Sequence, residues 1–189
     1  MKKIFILIVI SLLSVCSYAQ LDKGGWITSL HGYGSASKMN DYKESTLRIQ
    51  PSVMKLIGHN LALGITLSTT FQSNTYPTTF TPILLAKTNT LDLEAGPVLR
   101  KYFGDYKFKP YAEFSTGLYY TQYKSIYEGV SYHSDYSKLY IKPALGMSYW
   151  ISDRVALDMK VSYDLNHHDY GTFFDNWNLN LGFSVKLGK

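Results

Sequence analysis

The stretch Trp177-Asn178-Leu179-Asn180-Leu181-Gly182-Phe183-Ser184-Val185-Lys186-Leu187 decides how the rest of the chain is read. Its odd positions are all apolar and its even positions are polar or glycine, the period of a strand with two unlike faces. Ten steps of about 3.4 Å give a run of roughly 34 Å. Tilted as strands are in a membrane barrel, that rises about 26 Å, close to the height of such a barrel's apolar band. Strands of soluble proteins have about half as many residues. The sequence therefore predicts that Leu179, Leu181, Phe183 and Val185 face lipid.

The same alternation recurs. Leu61, Leu63, Ile65 and Leu67 share one face of "LALGITLSTTF", and Val155, Leu157, Met159 and Val161 share one face of "VALDMKVSYDL". Eight strands are expected, near 24–36, 45–57, 61–72, 88–103, 109–123, 136–150, 154–166 and 176–187. Residues 58–60, 104–109 and 152–154 read as tight turns. Residues 37–44, 73–87, 124–135 and 167–175 read as longer polar loops rich in Tyr, Ser, Thr and Asn. Short turns on one side and long loops on the other are the asymmetry of bacterial transmembrane barrels. Phe71, Tyr120, Tyr163 and Trp177 would belong to an outer aromatic girdle, and Trp26, Phe103, Phe108 and Tyr149 to a periplasmic one. The fold class predicted is all-β, an eight-stranded antiparallel up-and-down transmembrane barrel. A soluble lipocalin-like barrel shares the period but turns its apolar face inward.

Residues 1–19 read as a cleaved secretory signal, with Lys2 and Lys3 before an apolar run and Ser17-Tyr18-Ala19 as the cleavage site. A lipoprotein signal ending at Cys16 is the weaker reading, because Val15 precedes the cysteine. Residues 20–189 would form one domain without cysteine, which excludes a disulfide framework and thiolate metal sites. Removing Lys2 and Lys3 leaves 17 basic against 14 acidic residues, too mild and too dispersed for nucleic-acid binding.

On the polar faces, Arg48, Arg100, Lys142, Lys160 and Lys186 stand against Asp92, Glu94, Glu113, Asp158 and Asp164. Equal numbers of each sign predict a mutually neutralised lumen, since eight strands leave an interior just wide enough for side chains. Reflecting strands about the "GDYKFK" turn puts Arg100 opposite Glu113, and the last hairpin is expected to bring Asp158 to Lys186. Pro51, Pro97 and Pro143, about seven or eight residues before the tight turns, suggest a shared level of bulges or kinks.

Candidate chemistry is sparse. His167-His168-Asp169 invites a metal or a catalytic base, but adjacent strand residues point to opposite sides. His133 with Asp135, and His59 in a turn, read more simply as solvated polar residues. Ser162, Asp164, His167 and Ser131 could furnish a lipid A-modifying enzyme, though nothing in their spacing demands it. No phosphate loop or zinc spacing occurs, no cofactor is implied, and the enzyme is the minority reading. The preferred reading is a structural or interaction barrel. Its loops would present Tyr42, Tyr76, Phe80, Tyr127, Tyr132, Tyr136, Tyr170, Phe173 and Phe174 to an extracellular ligand that the sequence does not name.

Three segments, "PSVMKLIGHNLALGITL", "EAGPVLRKYF" and "GMSYWISDRVALDMKVSY", resemble the outer-membrane beta-barrel domain family of Gram-negative bacteria. Gly96, Pro97, Arg100, Tyr102 and Phe103 match its Gly-Pro-x-x-Arg-x-Tyr-Phe segment. The chain departs from the pattern at Lys55, where an aromatic residue is expected, and at its non-aromatic end, so Phe183 would serve in the assembly signal. The resemblance covers nearly all of residues 20–189. It implies a small OmpA/OmpX-like barrel in the outer membrane, monomeric, inserted by the assembly machinery and surrounded by outer-membrane lipid and lipopolysaccharide. It says almost nothing about activity.

Overall fold

The computed structural model describes residues 21, 23–39, 42–77, 85–104, 106–127, 130–165 and 177–188. The signal-peptide reading, His167-His168-Asp169, Phe80, Tyr170, Phe173 and Phe174 lie outside them. Eight antiparallel strands close into a barrel in sequence order: β1 Trp26–Met39, β2 Tyr42–Gly58, β3 Leu61–Pro77, β4 Leu85–Tyr102, β5 Phe108–Tyr127, β6 Val130–Trp150, β7 Val155–Tyr163 and β8 Trp177–Leu187. β8 closes the ring on β1, with Trp26 opposite Leu187 and Gly32 opposite Leu181.

The period-2 pattern is realised with its apolar side outward. Leu63, Ile65, Leu67, Leu157, Leu179, Leu181 and Phe183 are exposed, and Leu61, Val155, Met159, Val161 and Val185 share their faces. Of the charged residues on the alternate positions, Arg48, Glu94, Arg100, Glu113, Lys142, Asp158 and Lys160 are buried, Arg100 completely, and Asp92, Asp164 and Lys186 are half-buried. This inversion removes the lipocalin-like alternative, in which the apolar face would fill the barrel.

Several strands run past their expected ends. The segments expected as loops at 37–44 and 124–135 are mostly strand: Met39 pairs with Tyr42, and Tyr127 with Val130. The stretches 73–77 and 85–87 also belong to β3 and β4. The physical reason is visible in residues 131–137, which are exposed on both faces. Alternation is a contrast between two environments, so it vanishes where both are water although the ladder continues. β7 is shorter than expected and ends at Tyr163.

The prolines interrupt ladders without bulging them. Pro51 stays paired to Leu30 in β1, while the β2–β3 ladder skips from Ile49–Thr69 to Ser52–Thr66 in unchanged register. Pro97 keeps Ile65, and the β4–β5 ladder skips from Ala95–Leu118 to Val98–Ser115. Pro143 keeps Phe114, and the β6–β7 ladder begins only at Ala144–Ser162. Each ring removes one N–H on the side of the following strand, which costs a bond but inserts no residue. The three prolines thus share a level of interrupted ladder without a bulge, and what they have in common is a missing donor. At the β2–β3 turn, Asn60 takes a φ of 56°, a left-handed conformation that asparagine tolerates, and the register shift lies beside it between Leu56 and Gly58.

Candidate functional site

The lumen is layered. At the end that carries the tight turns its floor is apolar: Ile27, Met54, Leu56, Ala62, Val98, Tyr102, Tyr111, Trp150 and Ala156 pack together with Leu21, which precedes β1. The Leu21 carbonyl accepts from Asn60 N at 3.3 Å. Sequence reasoning missed this floor. Its trace is the loss of alternation near the tight turns, where Met54 and Leu56 are apolar on the lumen side.

Above the floor sits the first charged layer. Arg100 stands opposite Glu113 in the β4–β5 ladder, and its Nε donates to Glu113 Oε2 at 2.7 Å. Arg100 Nη1 donates to Tyr102 Oη at 3.1 Å and lies 3.7 Å from Asp158 Oδ2. Its guanidinium covers the Tyr111 ring at 4.4 Å. Glycine at 146 makes room for that ring, since a Cβ there would lie 2.3 Å from it. Lys160 Nζ donates to the other Glu113 oxygen at 2.8 Å and to Gln50 Oε1 at 3.2 Å. Asp158 accepts from Ser184, which shares a 2.7 Å hydrogen bond with Ser29, and His31 Nε2 lies 3.3 Å from Asp158.

The second charged layer lies nearer the outer mouth. Arg48 donates to Ser68 at 2.9 Å and to Glu94 at 2.7 Å. Lys142 donates to both Glu94 oxygens, at 2.7 and 2.8 Å, and lies 3.5 Å from Asp164. Asp92 is apart from these cations and accepts from Thr121 Oγ1 at 2.8 Å. Over this layer opens a polar cavity of about 440 Å³, lined by residues including Tyr33, Glu44, Arg48, Asp92, Tyr119 and Asn178.

The expected pairing of Asp158 with Lys186 does not form. The β7–β8 register sets Asp158 opposite Gly182, because Val155 rather than Asp158 faces the Val185 level. Lys186 lies at the tight-turn end, opposite Ile27, and its backbone N donates to Arg154 O at 2.7 Å. Two further members of the interior, His31 and Lys109, were not anticipated. His31 sits in the strand whose alternation is least clear, and Lys109 Nζ donates to Gly104 O at 2.9 Å.

Of the candidate enzyme residues, His167 lies outside the described residues, and the two serines stand far apart in the barrel. Ser162 is buried in the lumen opposite Asn178, whereas Ser131 is exposed near the tip of β6. His133 and Asp135 lie on exposed strand opposite Lys124 and Gln122, and His59 Nε2 is 3.2 Å from Asn60 Nδ2 in its turn. Among the described residues, no group of three His, Cys, Asp or Glu side chains can hold a metal ion.

Outside, Tyr163 and Trp177 stack with ring centroids 5.0 Å apart, and Phe71 and Tyr120 are exposed. At the other end Trp26, Phe103 and Phe108 are exposed, with Lys55 Nζ 5.8 Å from the Trp26 ring. Superposed on solved structures, the chain matches OprG from Pseudomonas aeruginosa with a TM-score of 0.53 at 13% identity, covering 92% of this chain and 100% of that one. It has the outer-membrane β-barrel fold. Neisserial surface protein A (TM-score 0.45, 15% identity, 87% and 97% covered) and Ail of Yersinia pestis (0.44, 16%, 87% and 99%) also match. No protein-family model and no curated protein matches the sequence. In an eight-stranded barrel, a lumen crossed by two charged layers above an apolar floor is a packed core.

Proposed function

We propose that the protein is an integral outer-membrane barrel with a side-chain-filled lumen, acting through its outer surface rather than by conducting solutes or catalysing a reaction. One observation carries this reading: apolar side chains face outward along strand after strand while Arg100, Glu113, Asp158 and Lys160 are buried inside. In water that arrangement would expose a continuous apolar band far larger than monomeric proteins carry. In a bilayer it satisfies every face. Export would follow cleavage of residues 1–19, and insertion would use the outer-membrane assembly machinery. The barrel would stand as a monomer among outer-membrane lipids and lipopolysaccharide. The β1–β2 and β5–β6 hairpins, which carry Tyr42, Tyr132 and Tyr136, would present contact area to the surroundings.

The test is behaviour in detergent and topology in cells. The folded barrel should migrate apart from the boiled chain on a gel, and an epitope inserted between residues 128 and 129 should be labelled on intact cells. One inserted between 152 and 153 should need permeabilised cells. A folded monomer that stays soluble without detergent would refute the membrane placement, and the reverse labelling pattern would refute the orientation.

A further inference from the structure

The outer wall is not uniform. A groove of about 510 Å³ crosses it over β4 to β8, lined by residues that include Leu99, Lys101, Ala112, Phe114, Leu145 and Trp177. Its origin is a small residue in a row of larger ones. Lys101 pairs with Ala112, and Ala112 with Leu145. The row above it runs Leu99, Phe114, Pro143. The Ala112 methyl thus leaves a depression beside the exposed rings and branches of Phe114 and Leu145.

The groove also has a direction. Lys101 is one residue from the periplasmic end of β4, whereas the row that starts there passes Leu145 and Val161 and reaches Leu179, near the outer end of β8. Because barrel strands tilt, rows perpendicular to them climb the wall. The groove therefore rises from the periplasmic rim into the bilayer.

Its two ends differ in charge. Lys101 is the sole cation among the residues lining it, and the outer end is closed by Tyr163 and Trp177. Lys101 Nζ donates to the His59 carbonyl at 3.0 Å. An ammonium has three donors, so this contact fixes its position at the rim and leaves two N–H groups for an anion. A long apolar channel with a cation at the headgroup level matches a lipid that has one phosphate and an extended chain.

We propose that this groove holds one acyl chain of a phospholipid of the periplasmic leaflet, with the lipid phosphate on Lys101. The occupant comes from the periplasmic leaflet because the cation is at that end; among the described residues, the other end of the groove carries Val161, Tyr163 and Trp177 and no charge. The site rests on the membrane placement proposed above, but it requires more than general contact with lipid.

Native mass spectrometry of the barrel, refolded in detergent with added phosphatidylglycerol and then stripped stepwise, tests it. The parent should retain one phosphatidylglycerol after the rest are lost. Lys101→Gln should weaken that retention about tenfold, as expected for losing a charge-assisted contact. Ala112→Phe should abolish it, while Val53→Phe on β2 should leave it unchanged. Heat-modified migration checks that each variant is closed, and if Ala112→Phe does not fold, Lys101→Gln alone decides. Equal retention in Lys101→Gln and parent, loss in all variants alike, or displacement of phosphatidylglycerol by lipopolysaccharide at the same site would overturn the proposal. A barrel that needs no detergent would instead remove the membrane placement itself.

Discussion

A guanidinium enclosed by eight strands has to find acceptors for its N–H donors within the reach of one side chain. Arg100 does so by spending its donors on three strands' worth of partners: Glu113, Tyr102 and the approach of Asp158. Glu113 is shared in turn with Lys160. Removing one member of such a set leaves an uncompensated charge where water does not reach. Arg100→Ala should cost about 3–5 kcal/mol, and Glu113→Ala a similar amount. The double variant should cost clearly less than the two losses together, because each single change already strands the other partner. Urea unfolding from phospholipid vesicles measures all three, and additive losses would show that the pair does not act as a unit.

At the level of the strand, the two faces differ in what they tolerate. Leu181→Arg places a charge against the middle of the apolar band and should cost roughly 2–4 kcal/mol in folding from vesicles. Asn178→Arg, which points into the polar outer cavity, should change stability by less than about 1 kcal/mol. Equal losses would mean that the faces are assigned the wrong way round. This contrast also explains what could be read from the sequence. Where a strand separates an apolar outer face from a polar lumen, as at Leu179, Leu181 and Phe183, its pattern predicts the element and which face turns outward. Where it stands in water on both sides, as at Ser131 to Ser137, the pattern disappeared and strand was taken for loop. The Arg100–Glu113 register followed from a short turn of known length. The Asp158 environment did not, because His31, Arg100 and, through Ser184, Ser29 come from strands that only the closed ring brings near.

Taken whole, the barrel is a stack of seals. The apolar floor around Trp150 and Leu21, the Arg100 layer and the Arg48 layer lie in series. An ion would have to displace paired charges twice and then cross buried hydrocarbon. Planar-bilayer recording of purified protein should therefore give no sustained conductance of porin size, and a steady open level would refute the filled lumen. The floor was the least legible part of the interior, since an apolar residue on a lumen face looks, in sequence, like a lapse in alternation.

Seven of the eight strand contacts join sequence neighbours, and only the β1–β8 contact spans the chain. The side chains bridging that last contact are not peripheral. Ser29 meets Ser184 across it, and His31 reaches Asp158. Until the ring shuts, Arg100 keeps Glu113 within the β4–β5 hairpin but Asp158 lacks His31, so a half-wound sheet in the proposed bilayer would hold an incompletely paired charge against hydrocarbon. Insertion stepwise, hairpin by hairpin, is thus the costly route. The favourable order of events keeps the sheet curled with its interior shielded and brings the first and last strands together as it enters. On the membrane placement proposed above, the residues that meet at the seam would set the timing of entry.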